Sequence, residues 1–217
     1  MSKDDIITRL AQAVVSCQTA EVEQVVRAAL TAGLSPHEVI KGLSEGMREM
    51  GRLWTEMEVF LPEVMAAADA FYAGLHLAKP AVPVGSRTDQ VGTLVLGTIY
   101  GDIHSVGKDV VVPVFEAENF KVVDLGTDVS AAQFVQAVVE HKPDILGLGT
   151  YMSETFRHVA EVVRALVDAG VRDQVIVICG GAVADAEIAR RMGADDAFTD
   201  AWVAVEAAKH MLETRKR

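Results

Sequence analysis

The chain has 217 residues, 50% of them hydrophobic, and its 20 Lys and Arg against 31 Asp and Glu give a formal net charge of −11. A chain of this size buries roughly 70% of its unfolded surface and builds its cores without metal or disulfide staples. Its acidity opposes binding to nucleic acid or to an anionic membrane surface. Cys17 and Cys179 are the only cysteines, too few for a disulfide framework or a thiolate metal cage. The segment MSKDDIITRL has no apolar signal-peptide core, and no 18-residue apolar run occurs, so a cytoplasmic location is expected.

Residues 1–79 carry a helical period, with Ile6, Leu10 and Val14, then Val22, Val25, Val26, Ala29 and Leu30, recurring three or four apart. Ser35, Pro36 and Glu38 form a complete start signal for a third helix over about 35–53: N-cap, first-turn proline and a glutamate three residues after the cap. FLPEVMAAADAFYAGLHLA supplies a fourth helix with Pro62 in its first turn, so a four-helix bundle is expected. The segment 80–90, with two prolines, a glycine and polar residues, reads as a linker and a plausible hinge. From residue 91 to 217 the apolar runs VGTLVLG, FKVVDLG, DILGLGT and QVIVICG and a short DAFT alternate with helical stretches at about 106–118, 130–141, 154–169, 185–192 and 201–214. Near-continuous Val, Ile and Leu strands between helices predict a five-stranded, parallel, doubly wound sheet of Rossmann or flavodoxin-like type. Ligands of such sheets bind beyond the carboxyl ends of the strands.

The loop after the first of these strands is GTIYGDIHSVGKDV, residues 97–110. Its glycines, Gly97, Gly101 and Gly107, do not make the compact G-x-G-x-x-G turn that seats a pyrophosphate, which argues against a dinucleotide-dependent dehydrogenase. Asp102 and His104 stand two apart. A lone loop histidine is usually a solvated or hydrogen-bonded side chain, but a ligating histidine gives its other ring N–H to a carboxylate, and Asp102 is placed to take it. One His and one Asp are too few to cage zinc. A single imidazole suffices when the metal arrives already held by a macrocycle.

GDIHSVGK resembles the D-x-H-x-x-G signature of cobalamin-binding domains, as in cobalamin-dependent methionine synthase and the corrinoid proteins of anaerobic methyltransferase systems. In that family an S-x-L and then a G-G follow at restricted spacings. Here Gly149, Thr150 and Tyr151 come after 41 intervening residues and Gly180–Gly181 after a further 28. GMREMGRLWTEMEVFLPEVMAAADAF resembles the helical cap module that precedes the binding domain in proteins handling methylcobalamin, so the resemblance spans about residues 5–215.

The resemblance implies that His104 is the lower axial ligand of cobalt, displacing the cofactor's own dimethylbenzimidazole, with Asp102 on its other nitrogen and the Thr155 hydroxyl completing the relay. Thr155 is otherwise simply a hydroxyl near a helix start. Gly101, Ser105, Val106 and Gly107 would line the loop against the corrin. Gly180 and Gly181 would let the nucleotide tail lie against backbone, or serve as an ordinary strand-to-helix turn. Ser153 would lie near the lower face or cap the following helix. Trp54, Leu61 and Val64 would face the methyl group, or be bundle core. Two departures stand out: the family's serine is Gly149 and its leucine Tyr151, which leaves Thr150, Tyr151 or a water to hold the tail, and Ser105 replaces a frequent Asp.

The resemblance therefore implies a cobalamin-dependent methyl carrier, not catalytic alone, that cycles between cob(I)alamin and methylcobalamin. Its expected partners are a donor-specific methyltransferase, an acceptor methyltransferase using tetrahydrofolate or another methyl acceptor, and a reductive activating protein; nucleic acid and membrane are not among them. Methanol, methylamines, betaines and aryl methyl ethers are all compatible donors. The alternatives are a cobalamin-dependent sensor, which needs an output module, and an adenosylcobalamin mutase subunit, disfavoured by the methyl-type cap.

Overall fold

The helical period of the first third resolves into α1 (Lys3–Val15), α2 (Thr19–Thr31), α3 (Pro36–Thr55) and α4 (Leu61–Ala78) in a computed structural model that describes residues 3–78 and 90–215. The chain divides into two units, Met1–Asp89 and Gln90–Arg217. The linker and hinge expected at 80–90 lie, apart from Gln90, outside the described residues. α3 starts where its signal places it: Ser35 Oγ accepts from Glu38 N–H at 3.2 Å, and Glu38 Oε2 accepts from Ser35 N–H at 2.8 Å. It runs two residues past the expected end, to Thr55.

Leu10, Val14, Val22, Val26, Leu43, Met47, Phe71 and Leu75 fill the core of the helical unit. Small residues let the helices close on one another. A Cβ added at Gly46 would lie 2.7 Å from Val14 Cβ and 2.8 Å from the Ala11 carbonyl oxygen, so α3 meets α1 nearly backbone to backbone. The α3–α4 connection instead leaves Met57, Phe60 and Leu61 exposed, with Met65 in the first turns of α4.

The second unit carries β1 (Gly92–Thr98), β2 (Phe120–Asp124), β3 (Ile145–Gly149), β4 (Ile176–Gly180) and β5 (Asp196–Phe198), all parallel, in the order β2-β1-β3-β4-β5. This is the doubly wound, flavodoxin-like order that the alternating pattern predicts. Between the strands run α5 (Val106–Ala117), α6 (Ala131–His141), α7 (Ser153–Phe156), α8 (His158–Asp168) and α9 (Ala186–Arg191), and α10 (Ala201–Arg215) closes the chain. Side chains alternate across the sheet. Val95, Leu146, Val177 and Cys179 join Phe134, Val159 and Leu166 in one apolar layer, while α5 and α10 pack against each other and the sheet on the other face. Lys108, buried in the first turn of α5, reaches Asp124 Oδ2 at 2.6 Å and pins that helix to the end of β2.

The single helix expected over 154–169 is two, α7 and α8, broken at Arg157. The Thr155 hydroxyl, 2.9 Å from the carbonyl oxygen of Met152, shares that acceptor with the Phe156 N–H at 3.2 Å. β1 has β2 on one side and β3 on the other, so its outgoing loop and that of β3 diverge and leave a crevice at their carboxyl ends.

Gly46→Val should press an isopropyl group into the α1–α3 contact and destabilise the helical unit by about 1–3 kcal/mol. The expected outcome is a lower urea midpoint by far-ultraviolet circular dichroism.

Candidate functional site

β1 does not turn directly into α5. Ile99 bridges to Val129 and its N–H donates to the Gly149 carbonyl at 3.1 Å. Gly101 then takes φ +77°, a left-handed turn, and its N–H donates to Asp128 Oδ1 at 2.7 Å. The turn delivers Asp102, whose side chain is 0% exposed, beneath His104, whose side chain is 56% exposed. The buried Thr98 hydroxyl donates to the His104 carbonyl at 2.9 Å and holds the backbone of that residue from below.

Asp102 is the hub. Its Oδ1 accepts the His104 backbone N–H at 3.1 Å and stands 2.7 Å from His104 Nδ1. Its Oδ2 accepts the Tyr151 backbone N–H at 2.8 Å and lies 3.2 Å from the Thr155 hydroxyl. That hydroxyl has one proton, which serves either Asp102 or the Met152 carbonyl at a given moment. Burial pushes the Asp102 carboxyl up, but the donors from Tyr151, His104 and Thr155 outweigh it and hold the pKa below the ordinary carboxylate value. An ionised Asp102 assigns the ring proton of His104 to Nδ1 and leaves the Nε2 lone pair on the exposed side of the ring.

The end of β3 supplies the other wall. Gly149 is opposite Thr98 in the register, and a Cβ there would come 3.3 Å from the Thr98 hydroxyl that supports His104. A glycine in place of the family's serine keeps that hydroxyl free of crowding. Thr150 is fully buried and donates its N–H and its hydroxyl to the Gly180 carbonyl, at 2.7 and 3.2 Å, so its side chain is turned into the fold. Tyr151 extends its ring beside His104, with centroids 6.0 Å apart. Burial first, then the charges of Asp102 and Asp109, push its phenol up to about 12, and the backbone N–H of Lys108 in the first turn of α5 serves its oxygen. Gly181, at φ +117°, passes so close to Thr150 that any Cβ would meet its carbonyl oxygen at 2.1 Å.

The structure thus brings Gly101, Asp102, His104, Ser105, Val106, Gly107, Gly149, Thr150, Tyr151 and Thr155 together at the carboxyl ends of β1 and β3, with Gly180 and Gly181 at the end of β4. Ser153 does not cap the following helix: Met152 is the N-cap residue, with no side-chain bond, and Ser153 is the exposed first residue of α7. Ser105 precedes α5 but makes no side-chain cap bond. In the helical unit Val64 is buried, Trp54 is half-buried and Leu61 is partly exposed. Thr98 and Asp128 escaped the sequence reading. A hydroxyl closing an otherwise apolar strand was the signal for Thr98, whereas nothing local pointed to Asp128, 27 positions from Gly101.

Among the described residues no group of three or more His, Cys, Asp or Glu is placed to hold a metal ion. The donor set is one oriented imidazole, rimmed by the exposed apolar side chains Tyr100, Ile103, Val106 and Met152. That set fits a large, largely apolar ring that brings its own equatorial ligands and needs one axial nitrogen from the protein. The comparisons agree. Family models described as B12 binding domain match residues 6–79 and 92–209. The trimethylamine corrinoid protein of Methanosarcina barkeri is 39% identical over 95% of this chain and 98% of its own length. Dimethylamine corrinoid protein 1 of Methanosarcina acetivorans is 38% identical over 98% of this chain and all of its own. Among solved structures, the methanol:cobalamin methyltransferase complex MtaBC of Methanosarcina barkeri contains a chain that superposes with a TM-score of 0.85 at 30% identity, covering 98% of this chain and 81% of that one. A cobalamin-binding protein of Desulfitobacterium hafniense superposes with a TM-score of 0.76 at 28% identity, covering 97% of this chain and 98% of that one. With a helical module ahead of a parallel-sheet module, each matched by a B12-binding family model, this chain belongs to the B12-binding corrinoid proteins of methyltransferase systems, and its cofactor is a cobalamin.

Proposed function

We propose that the chain is a methyl carrier that holds cobalamin base-off with His104 as the lower axial ligand, receives a methyl group from a donor-specific methyltransferase and yields it to an acceptor methyltransferase. The observation that carries this reading is His104 itself, its Nδ1 tied to a buried carboxylate 2.7 Å away and its Nε2 left for a metal. Likeness to the trimethylamine and dimethylamine corrinoid proteins supports a methylated amine as the donor. The acceptor's methyl sink is tetrahydrofolate or another nucleophile, and a reductive activating protein completes the set. No described helix is long and apolar enough to cross a membrane, and with the acidic composition this supports a cytoplasmic carrier.

When bound, the cobalamin supplies the transfer chemistry, its cobalt accepting a methyl group and releasing it to the next nucleophile. The rest falls to this chain's residues. Asp102 fixes the tautomer and rotation of His104 and raises its donor strength. Holding the Nδ1 proton against Asp102 keeps the Nε2 lone pair directed to the exposed side of the ring, where it would meet the metal. Thr98, donating its hydroxyl to the His104 carbonyl, holds the backbone of that residue in place. Trp54, Leu61 and Val64 of the helical unit are the apolar residues that would face the methyl group in this reading. Gly180, where an added Cβ would meet only the Phe198 carbonyl oxygen at 3.8 Å, leaves backbone for the nucleotide tail.

Reconstitution with hydroxocobalamin, reduction to Co(II) and electron paramagnetic resonance should show superhyperfine splitting from one axial nitrogen, abolished in His104→Ala. Persistence of the splitting in that variant would sink the ligand assignment, and absence of corrinoid uptake by the wild type would sink the carrier reading. Asp102→Asn leaves buried donors facing a neutral amide and should cost about 1–3 kcal/mol of stability at pH 7. Because the folded carboxyl titrates below its unfolded value of about 3.9, its contribution is full above that pH and fades as pH falls through the folded value. The gap between wild type and Asp102→Asn in urea midpoint should therefore narrow on acidification below about pH 4.

A further inference from the structure

Tyr151 stands where the carrier family has a leucine, and its ring has an unusual seat. A Cβ added at Gly107 would lie 2.4 Å from its Cε1 and 2.6 Å from its phenol oxygen, and one added at Gly181 would lie 3.1 Å from its Cδ1. The ring therefore spans from the first turn of α5 towards the segment after β4, filling the volume that Gly107 leaves beside His104, while the space at Gly181 is taken first by the Thr150 carbonyl oxygen. The neighbouring Thr150 side chain is committed to the Gly180 carbonyl, and Gly149 has none, so the tyrosine is the one side chain of this trio that projects into the gap.

We propose that Tyr151 is a gate: its ring closes the groove between Gly107 and Gly181, and a cobalamin enters that groove with its nucleotide tail only after the ring swings out. The proposal rests on the cobalamin reading above. The ring occupies the space that Gly107 leaves and comes within 3.1 Å of where a Gly181 Cβ would lie, and close packing forbids a tail in the same space. The hinge is built in. The Tyr151 backbone N–H is fixed to Asp102 Oδ2 at 2.8 Å, so rotation about the Cα–Cβ bond moves the ring and leaves the carboxylate that orients His104 undisturbed.

The gate makes this protein sensitive to corrinoid type. If the open rotamer holds roughly 1–10% of the population, the apparent affinity for a tail-bearing corrinoid falls by about ten- to a hundredfold relative to an ungated groove. A corrinoid truncated before the nucleotide, such as cobinamide, meets only the exposed His104 and its apolar rim and escapes the penalty. Tyr151 is thus a specificity and loading residue, acting on entry of the cofactor and not on methyl transfer.

The test is stopped-flow absorbance on the full chain, loading aquacobalamin and, separately, diaquacobinamide, with wild type, Tyr151→Leu and Tyr151→Phe. Tyr151→Leu should speed cobalamin loading about tenfold or more and leave the cobinamide rate unchanged, while Tyr151→Phe, which keeps the ring, stays closer to wild type. In parallel, 3-fluorotyrosine incorporated into the wild-type chain, its resonances assigned with Tyr151→Phe, should show the Tyr151 signal shifting with cobalamin and not with cobinamide. This second measurement decides the matter even if the leucine variant folds poorly. An unchanged cobalamin-to-cobinamide rate ratio in a folded leucine variant, or a Tyr151 resonance that shifts equally with both corrinoids, overturns the gate alone. Failure of the wild type to take up either corrinoid overturns the cofactor reading beneath it.

Discussion

The burial of one ionised carboxylate organises this site. A charge removed from water is tolerated only when its oxygens are saturated with donors, and Asp102 draws them from two separated stretches: the backbone and ring of His104, and the Tyr151 N–H and Thr155 hydroxyl. Meeting that demand joins the loop after β1 to the loop after β3. The parallel register that sets Thr98 opposite Gly149 brings both loops to the same edge of the sheet. The imidazole orientation follows from the same bonds, so the group that reaches for a metal and the group that steadies the fold are one hydrogen-bonded unit.

Space around that unit is regulated by side chains that are missing. Gly149 leaves room for the Thr98 hydroxyl, Gly181 for the Thr150 carbonyl, and Gly107 for the Tyr151 ring. Each absence is matched to a particular neighbour. The surface above is apolar where the loops are exposed, with Ile103 77% accessible, and this suits a broad hydrophobic ring better than a small polar substrate.

Much of this was legible in the residues. Ser35, Pro36 and Glu38 act through contacts three residues apart, and the helix they start begins where they place it. The alternation of Val-rich runs with helices required a covered parallel sheet because an isolated apolar strand has no other way to bury both its faces. Asp102 and His104 were readable as a pair because two residues across a tight turn are always within reach. Thr98 and Asp128 were not, since their partners, the His104 carbonyl and the Gly101 N–H, come near only when the turn at Gly101 has formed. The break at Arg157 was likewise hidden, because the apolar period runs on through 154–169 and nothing in it marks the interruption.

By itself the amino-acid sequence determined the order of elements, the apolar faces and the pairing of Asp102 with His104, because these depend on local propensity, periodicity and residues adjacent in the chain. Only the tertiary structure decided which of Gly149, Thr150 and Tyr151 projects beside His104. Their directions depend on the twist at the end of β3, on the Gly180 carbonyl that captures Thr150 and on the Asp102 oxygen that captures the Tyr151 backbone. Those partners lie 30 and 49 positions away, and no spacing along the chain specifies how closely they approach.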